Sequence, residues 1–296
     1  MLLGEYWNGN YQVRLYDDGT KIRTAPDDDF IPAFAESCDI TITEKCDGAC
    51  SYCYAGCTPE GEYCDFTKYE ELLSSIHPYT ELAVNGNDLT HPNLVPFLKK
   101  MKDREVVVNM TVNQRHFGSH IDLIRNLCDE KLIRGLGVSL YLASQEFVDS
   151  LRGFPNAVVH VINGVFSPED VEVLEGNDLK ILILGYKQIG RGEDWFCKNG
   201  KTITGKQIWL NDNLPEIMQR FKIISFDNLA LEQLDVRRLL TDQEWEEFYM
   251  GDDGVFTFFI NLVQGYFAKD SLSPVHYEIG ENDIDEMFRI IRQSEK

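Results

Sequence analysis

The sequence predicts an α/β protein built on parallel strands, and three observations carry that reading. Its 296 residues suffice for one large α/β domain with an extra lobe. A hydrophobic fraction of 43%, with 17 Phe, suits a well-filled globular core. From Cys38 onward, short apolar runs alternate with helically spaced segments, giving six strand-then-helix units in succession. Such units imply parallel strands joined by right-handed crossovers. Two closures satisfy them: an open doubly wound sheet, or a full or partial barrel. In both, ligands sit at the C-terminal ends of the strands.

Residues 1–24 precede this rhythm and predict a β-hairpin or meander. Residues 11–16 alternate, Asp18-Gly19 is a turn signal, and Lys21-Ile-Arg follows. An acidic linker occupies 27–32, and there is no solenoid-type repeat. The expected strands fall at 38–43, 80–84, 105–112, 134–140, 157–162 and 179–184. Helices are expected at 66–76, 92–101, 121–131, 145–151 and 168–174, the last with Ser167 as N-cap. Beyond 184 the rhythm breaks. Residues 188–206 are polar and Gly-rich and predict a long loop or insertion. A helix at 214–221, a strand at 223–226, a capping-box helix at 241–250, a strand at 256–263 and an amphipathic helix at 283–292 complete the chain. The expected division is 1–35 for the hairpin and linker, 36–226 for the β/α domain, and 227–296 for a C-terminal α/β cap.

The formal charge is −21. An acidic solvated surface explains it and disfavours unaided duplex nucleic acid, whose phosphates need clustered Lys and Arg. No apolar run reaches the ~18–20 residues of a membrane span. Residues 1–10 lack the basic-then-apolar pattern of a signal peptide. Eight cysteines without such a signal predict a reducing, cytoplasmic setting where thiols stay free for metals.

After the first parallel strand comes Cys46-Asp-Gly-Ala-Cys50-Ser-Tyr-Cys53. A trio this close cannot be a set of structural disulfides; it can grip a metal ion or a cluster. Structural zinc usually takes ligands from two loops, and Cys57 or Cys64 can supply a fourth thiolate, so zinc stays open. Asp47-Gly48-Ala49 is small, and its glycine lets the loop adopt unusual backbone angles.

The Cys-x3-Cys-x2-Cys spacing after the first strand, the aromatic Tyr52 before the third cysteine, and the β/α units downstream resemble the radical S-adenosylmethionine enzymes. The resemblance covers residues 38–185 and implies a partial (β/α)6 TIM-type barrel. It implies a [4Fe-4S] cluster on Cys46, Cys50 and Cys53, with S-adenosylmethionine on the remaining iron. Asn85-Gly86-Asn87-Asp88 stands where the family holds the methionine ammonium, with Asn87 in place of the acidic residue. Strand-end Asn113 and Ser139 match positions for the methionine carboxylate and ribose hydroxyls, and Asn163 lies near the adenine or ribose. Asn113 serves equally well as a helix cap. Tyr52 presents its backbone to the adenine and its ring to the barrel.

The implied activity is oxygen-sensitive reductive cleavage of S-adenosylmethionine to a 5′-deoxyadenosyl radical. That radical takes hydrogen from a peptide, nucleotide or small metabolite, and the electron comes from a reductant such as flavodoxin or ferredoxin. The alternative is a non-catalytic iron–sulfur or zinc-binding interaction protein. On the substrate side, Lys187 and Arg191, flanked by glycines, can hold a carboxylate or phosphate, unless they belong to a solvated loop. Tyr186 is expected as a stacking or rim aromatic, Asp227 and Asn228 as site residues or a helix cap, and 251–254 as a turn. Cys57 and Cys64 are expected as free thiols, Cys128 as core, and His116 and His120 as surface histidines; Cys197 has no assigned role. The seven-cysteine C-terminal extension of many peptide-modifying relatives is missing.

Overall fold

A computed structural model describes residues 1–27, 29–84 and 87–294. Its strand order decides between the two closures. β4 (Ser37–Thr41), β5 (Glu81–Val84), β6 (Val107–Asn113), β7 (Gly135–Ser139), β8 (Ala157–Ile162), β9 (Lys180–Leu184) and β10 (Ile223–Phe226) lie side by side in chain order, all parallel. A doubly wound sheet reverses its order at a switch point. This one winds in a single direction, as a partial TIM-type barrel does.

The helices follow their strands: α1 (Glu70–Ser75), α2 (Leu94–Asp103), α3 (Gln114–Ser119), α4 (Ile121–Asp129), α5 (Gln145–Leu151) and α6 (Pro168–Leu174). Ser167 is the N-cap of α6, as expected, and forms a capping box with Asp170. Along the strands one phase is apolar. Cys38, Ile40, Val108, Met110, Val138, Val159, Val161, Ile181 and Ile183 fill the core beneath the helices. The other phase carries Asp39, Asn109, Thr111, Asn113, Ser139 and His160, which a period of two directs to the concave side, the lumen. On β7 that phase is glycine for a steric reason. A Cβ on Gly135 would stand 2.7 Å from Asn109 Oδ1, and one on Gly137 2.3 Å from the His160 ring.

The loop expected at 188–206 is instead part of α7 (Arg191–Ile217), a helix of 27 residues. Its glycines and polar surface hide a long-period apolar stripe. Ile203, Leu210, Leu214 and Ile217 are buried on one face, and Pro215 falls in the last turn, where it removes one intrahelical hydrogen bond. Cys197 is therefore an exposed helix residue.

The chain continues with α8 (Asn228–Gln233), α9 (Asp242–Phe248), β11 (Thr257–Asn261), β12 (Tyr266–Ala268), β13 (Tyr277–Glu278) and α10 (Ile284–Gln293). β11 pairs in parallel with β4, so the 227–296 segment extends the same sheet on its other edge, and β12 and β13 follow antiparallel. The N-terminal residues form a three-stranded antiparallel sheet of β1 (Leu2–Asn8), β2 (Tyr11–Tyr16) and β3 (Lys21–Thr24). Tyr11, Val13 and Leu15 alternate into its buried face. Lys21 pairs with Glu36, just before β4, and with Glu81 at the start of β5, so this sheet covers the N-terminal ends of the strands. The C-terminal ends stay open.

Candidate functional site

The cysteine loop leaves β4 at that open end. Short ladder pieces shape it: Cys46 N–H donates to Thr58 O (2.8 Å) and Cys64 N–H to Ile42 O (2.9 Å). The expected unusual backbone angles fall on Ala49, at φ 48, and not on Gly48. Gly48 is needed for space. A Cβ there would stand 3.1 Å from Cys46 Sγ, 3.3 Å from His116 Cε1 and 3.8 Å from Cys50 Sγ. The Cys46, Cys50 and Cys53 thiols are free and half-buried. Burial pushes the Cys46 and Cys50 thiols up, whereas the neighbouring Cys57 draws the Cys53 thiol down.

Neighbouring elements clamp the loop. Arg191, at the start of α7, donates from Nε to Cys50 O (3.0 Å), from a terminal guanidinium nitrogen to Cys57 O (2.8 Å), and from its backbone N–H to Cys53 O (3.0 Å). Arg115 donates to Gly48 O and stacks over Tyr141 at 4.4 Å. His116 is buried, contrary to the surface position expected of it, because α3 carries it under the loop. There its Nε2 lies 2.8 Å from Asp47 Oδ1. His120 stays at the edge of that helix, half-buried. Arg115 and the burial of His116 carried no sequence signal, since both depend on a helix that the pattern at 113–119 did not announce.

Comparison with known proteins places this geometry. No protein-family model matches the chain. Over 91 residues it is 26% identical to a GTP 3',8-cyclase of Hydrogenovibrio crunogenus (strain DSM 25203 / XCL-2), covering 27% of this chain and 28% of the cyclase. Its fold matches Streptococcus suis SuiB, whose structure holds S-adenosylmethionine, with a TM-score of 0.60 and 14% identity over 87% of this chain and 66% of SuiB. The likeness to the cyclase spans little more than a quarter of either chain, and the likeness to SuiB is one of fold.

The donor set suits an iron–sulfur cluster: three soft thiols, all free, rise from one loop. Of the residues that the superfamily pattern pointed to, Asn85 and Gly86 lie outside the described residues. Asn87 is buried; its amide donates to Asp47 Oδ1 (3.3 Å) and its Oδ1 has no partner. Asp88 is fully buried with both carboxylate oxygens unpartnered, and burial holds its carboxyl well above the usual range.

Asn113 ends β6 and caps α3, accepting from Arg115 N–H (3.0 Å), while its amide nitrogen lies 3.5 Å from Cys50 Sγ. Ser139 is in register with Asn113 on one side and His160 on the other, at the open end of the lumen. Tyr52 lays its carbonyl against Gly192, and burial pushes its hydroxyl up to about 12. Asn163 is fully buried behind the lumen; its amide donates to Gln233 (3.0 Å) and its carbonyl is unpartnered.

At the lumen mouth the two expected anion-binding cations are otherwise engaged. Arg191 clamps the cysteine loop. Lys187 donates to Ser271 (2.7 Å) and sits over the Tyr54 ring at 4.2 Å. Tyr186 is not a rim aromatic; it is buried, with its hydroxyl on Gly192 O (2.8 Å). Asp227 caps α8, accepting from Ala230 N–H (2.7 Å) and Gly185 N–H (2.8 Å). Two lumen residues were missed. Asp39 opens onto the lumen, where the protein around it pushes its carboxyl up to about 6, with Lys187 opposing and Asp253, Asp227 and Asp270 adding to it; the half-buried His160 has its imidazole held down to about 4 by the protein around it. Their signal was available: each is a lone polar residue at the alternate phase of an apolar strand.

Proposed function

We propose that this chain binds a [4Fe-4S] cluster and S-adenosylmethionine and abstracts hydrogen from a substrate held in the lumen. The observation that carries the reading is the thiol trio at the open end of a singly wound parallel sheet, with the orphaned Asn87 carbonyl beside it. When bound, these groups supply an electron and a 5′-deoxyadenosyl radical, the hard chemistry that the protein itself lacks. The chain's residues do the rest. Cys46, Cys50 and Cys53 hold the cluster. The Asn87 carbonyl accepts from the methionine ammonium, and Ser139 offers a hydroxyl at the next strand end. Arg191 and Arg115 fix the loop's carbonyls. The neutral His160 and the carboxyl of Asp39 face the substrate. Electrons come from an external reductant of the flavodoxin or ferredoxin type. No helix among the described residues is long and apolar enough to cross a membrane.

The mouth of the lumen narrows the substrate. Asp39, Asp227, Asp253 and Asp270 act on one another there, and Lys187 is the cation that opposes them. A cavity of about 650 Å³ adjoins it, lined by Trp245, Tyr249, Asp253, Lys269 and Asp270 among others. That field disfavours phosphate and favours a peptide or small metabolite presenting neutral or cationic groups. A nucleoside triphosphate is expected to bind more weakly than its parent nucleoside in equilibrium dialysis. Tighter triphosphate binding would reject this choice of substrate.

Anaerobic reconstitution tests the main reading. The protein is expected to take up iron and sulfide and, when reduced, to release 5′-deoxyadenosine from S-adenosylmethionine. The second reading has its own support in Cys46, Asp47 and His116, whose ligand atoms lie within 4.8 Å of one another, a span fit for one zinc ion. Tightly held zinc, with no iron uptake and no cleavage, selects that interaction protein instead.

A further inference from the structure

We infer that Asn113 donates a hydrogen bond to the cluster thiolate of Cys50 and thereby sets the reduction potential of the cluster. The inference rests on the proposed cluster. Gly48 N–H points at Cys46 Sγ from 3.3 Å. The Asn113 amide nitrogen lies 3.5 Å from Cys50 Sγ. Its orientation is fixed, because Arg115 N–H needs the carbonyl end as its acceptor at 3.0 Å.

A sulfur bound to iron has no proton to give, so the Asn113 amide donates and Cys50 accepts. Asn113 has both ends of its amide committed, one to α3 and one to Cys50. Hydrogen bonds draw electron density from thiolate sulfur and so stabilise the reduced, more negative cluster over the oxidised one. Removing a donor lowers the potential. The setting makes the effect matter, since Asp47 and Glu44 add negative charge to the same loop.

Redox titration of the reconstituted protein, followed by electron paramagnetic resonance, tests this alongside iron analysis. Asn113→Ser keeps a capping oxygen on α3 but removes the amide donor. The variant is expected to hold a full iron complement and to show a potential shifted negative of wild type. Iron lost from Asn113→Ser makes Asn113 a support of the loop and overturns the inference. A full cluster with an unmoved potential overturns it as well, leaving the cluster itself intact. A wild-type protein that takes up no cluster defeats the underlying reading, and this one with it.

Discussion

Replacing Glu36 with glutamine is expected to destabilise the fold by about 3–5 kcal/mol, the usual effect of breaking a buried ion pair from one side. The carboxylate is fully buried between the N-terminal sheet and the barrel. Tyr11 hydroxyl (2.6 Å) and Arg23 Nε (2.8 Å) donate to one oxygen. A second Arg23 nitrogen (3.1 Å) and Lys21 Nζ (3.2 Å) donate to the other. Glutamine keeps the size but leaves Arg23 with no carboxylate and Lys21 with Glu81 alone, at 2.6 Å. The charges sit in a nearly dry site, with 8% of the Lys21 and 11% of the Arg23 side chain exposed, so water cannot take over. Burial alone pushes the Glu36 carboxyl up, but Lys21 and Arg23 outweigh it and hold it below the usual range. The sign follows. A depressed carboxyl stabilises the fold above its unfolded pKa, and that stability is lost as pH falls through the folded value. Denaturant unfolding is expected to show wild type losing stability steeply on acidification and Glu36→Gln losing less. Equal stability of the two proteins at neutral pH would mean that the sheet is not anchored through this carboxylate.

That anchor was not legible in the sequence, and the reason is instructive. Lys21, Arg23, Glu36 and Glu81 look like ordinary surface charges until the meander folds onto the strand ends. The β/α rhythm was legible because it is local. Strand phases are apolar on one side, and caps announce helices; both the Ser167 N-cap and the capping box of Thr241 with Glu244 form as written. α7 failed the same test because its support is distant. Gly192 packs on Lys187 O, and Ile203 fills the space that glycine leaves at 164. The pairing of β11 with β4 joins residues more than 200 positions apart, and no local pattern encodes it. The site divides the same way. The three cysteines are a local motif and were found at once. Lys187 and Arg191 were noticed as cations, but their partners, Ser271, Tyr54 and the carbonyls of Cys50 and Cys57, lie elsewhere in the chain.

Cys50→Ala is expected to abolish 5′-deoxyadenosine formation, and Gly190→Ala is expected to cost on the order of 10²-fold, the scale of a misplacement near 1 Å. The first change removes a ligand. The second leaves every ligand in place and moves the loop that carries them. Gly190 precedes α7 at φ 55, a region that alanine enters only under strain. A Cβ there would stand 2.3 Å from Tyr54 O and 3.1 Å from Cys53 O. Neither carbonyl can retreat freely. Cys53 O already accepts Arg191 N–H, and Tyr54 is packed against Lys187. Relief must therefore come from parting the α7 start from the cysteine loop. That separation pulls the Arg191 guanidinium away from Cys50 O and Cys57 O, and its backbone N–H away from Cys53 O, and with them the seat of two of the three thiols. Arg191→Lys is expected to behave like a weaker version of the same lesion, since a single ammonium cannot span two carbonyls as the planar fork does. Iron content and product formation separate the cases. Cys50→Ala should lose both, whereas Gly190→Ala should keep some iron and lose more of the cleavage. If Cys50→Ala still releases 5′-deoxyadenosine, the loop is not the radical site. If Gly190→Ala matches wild type in both measures, the clamp between α7 and the cysteines does not position the chemistry.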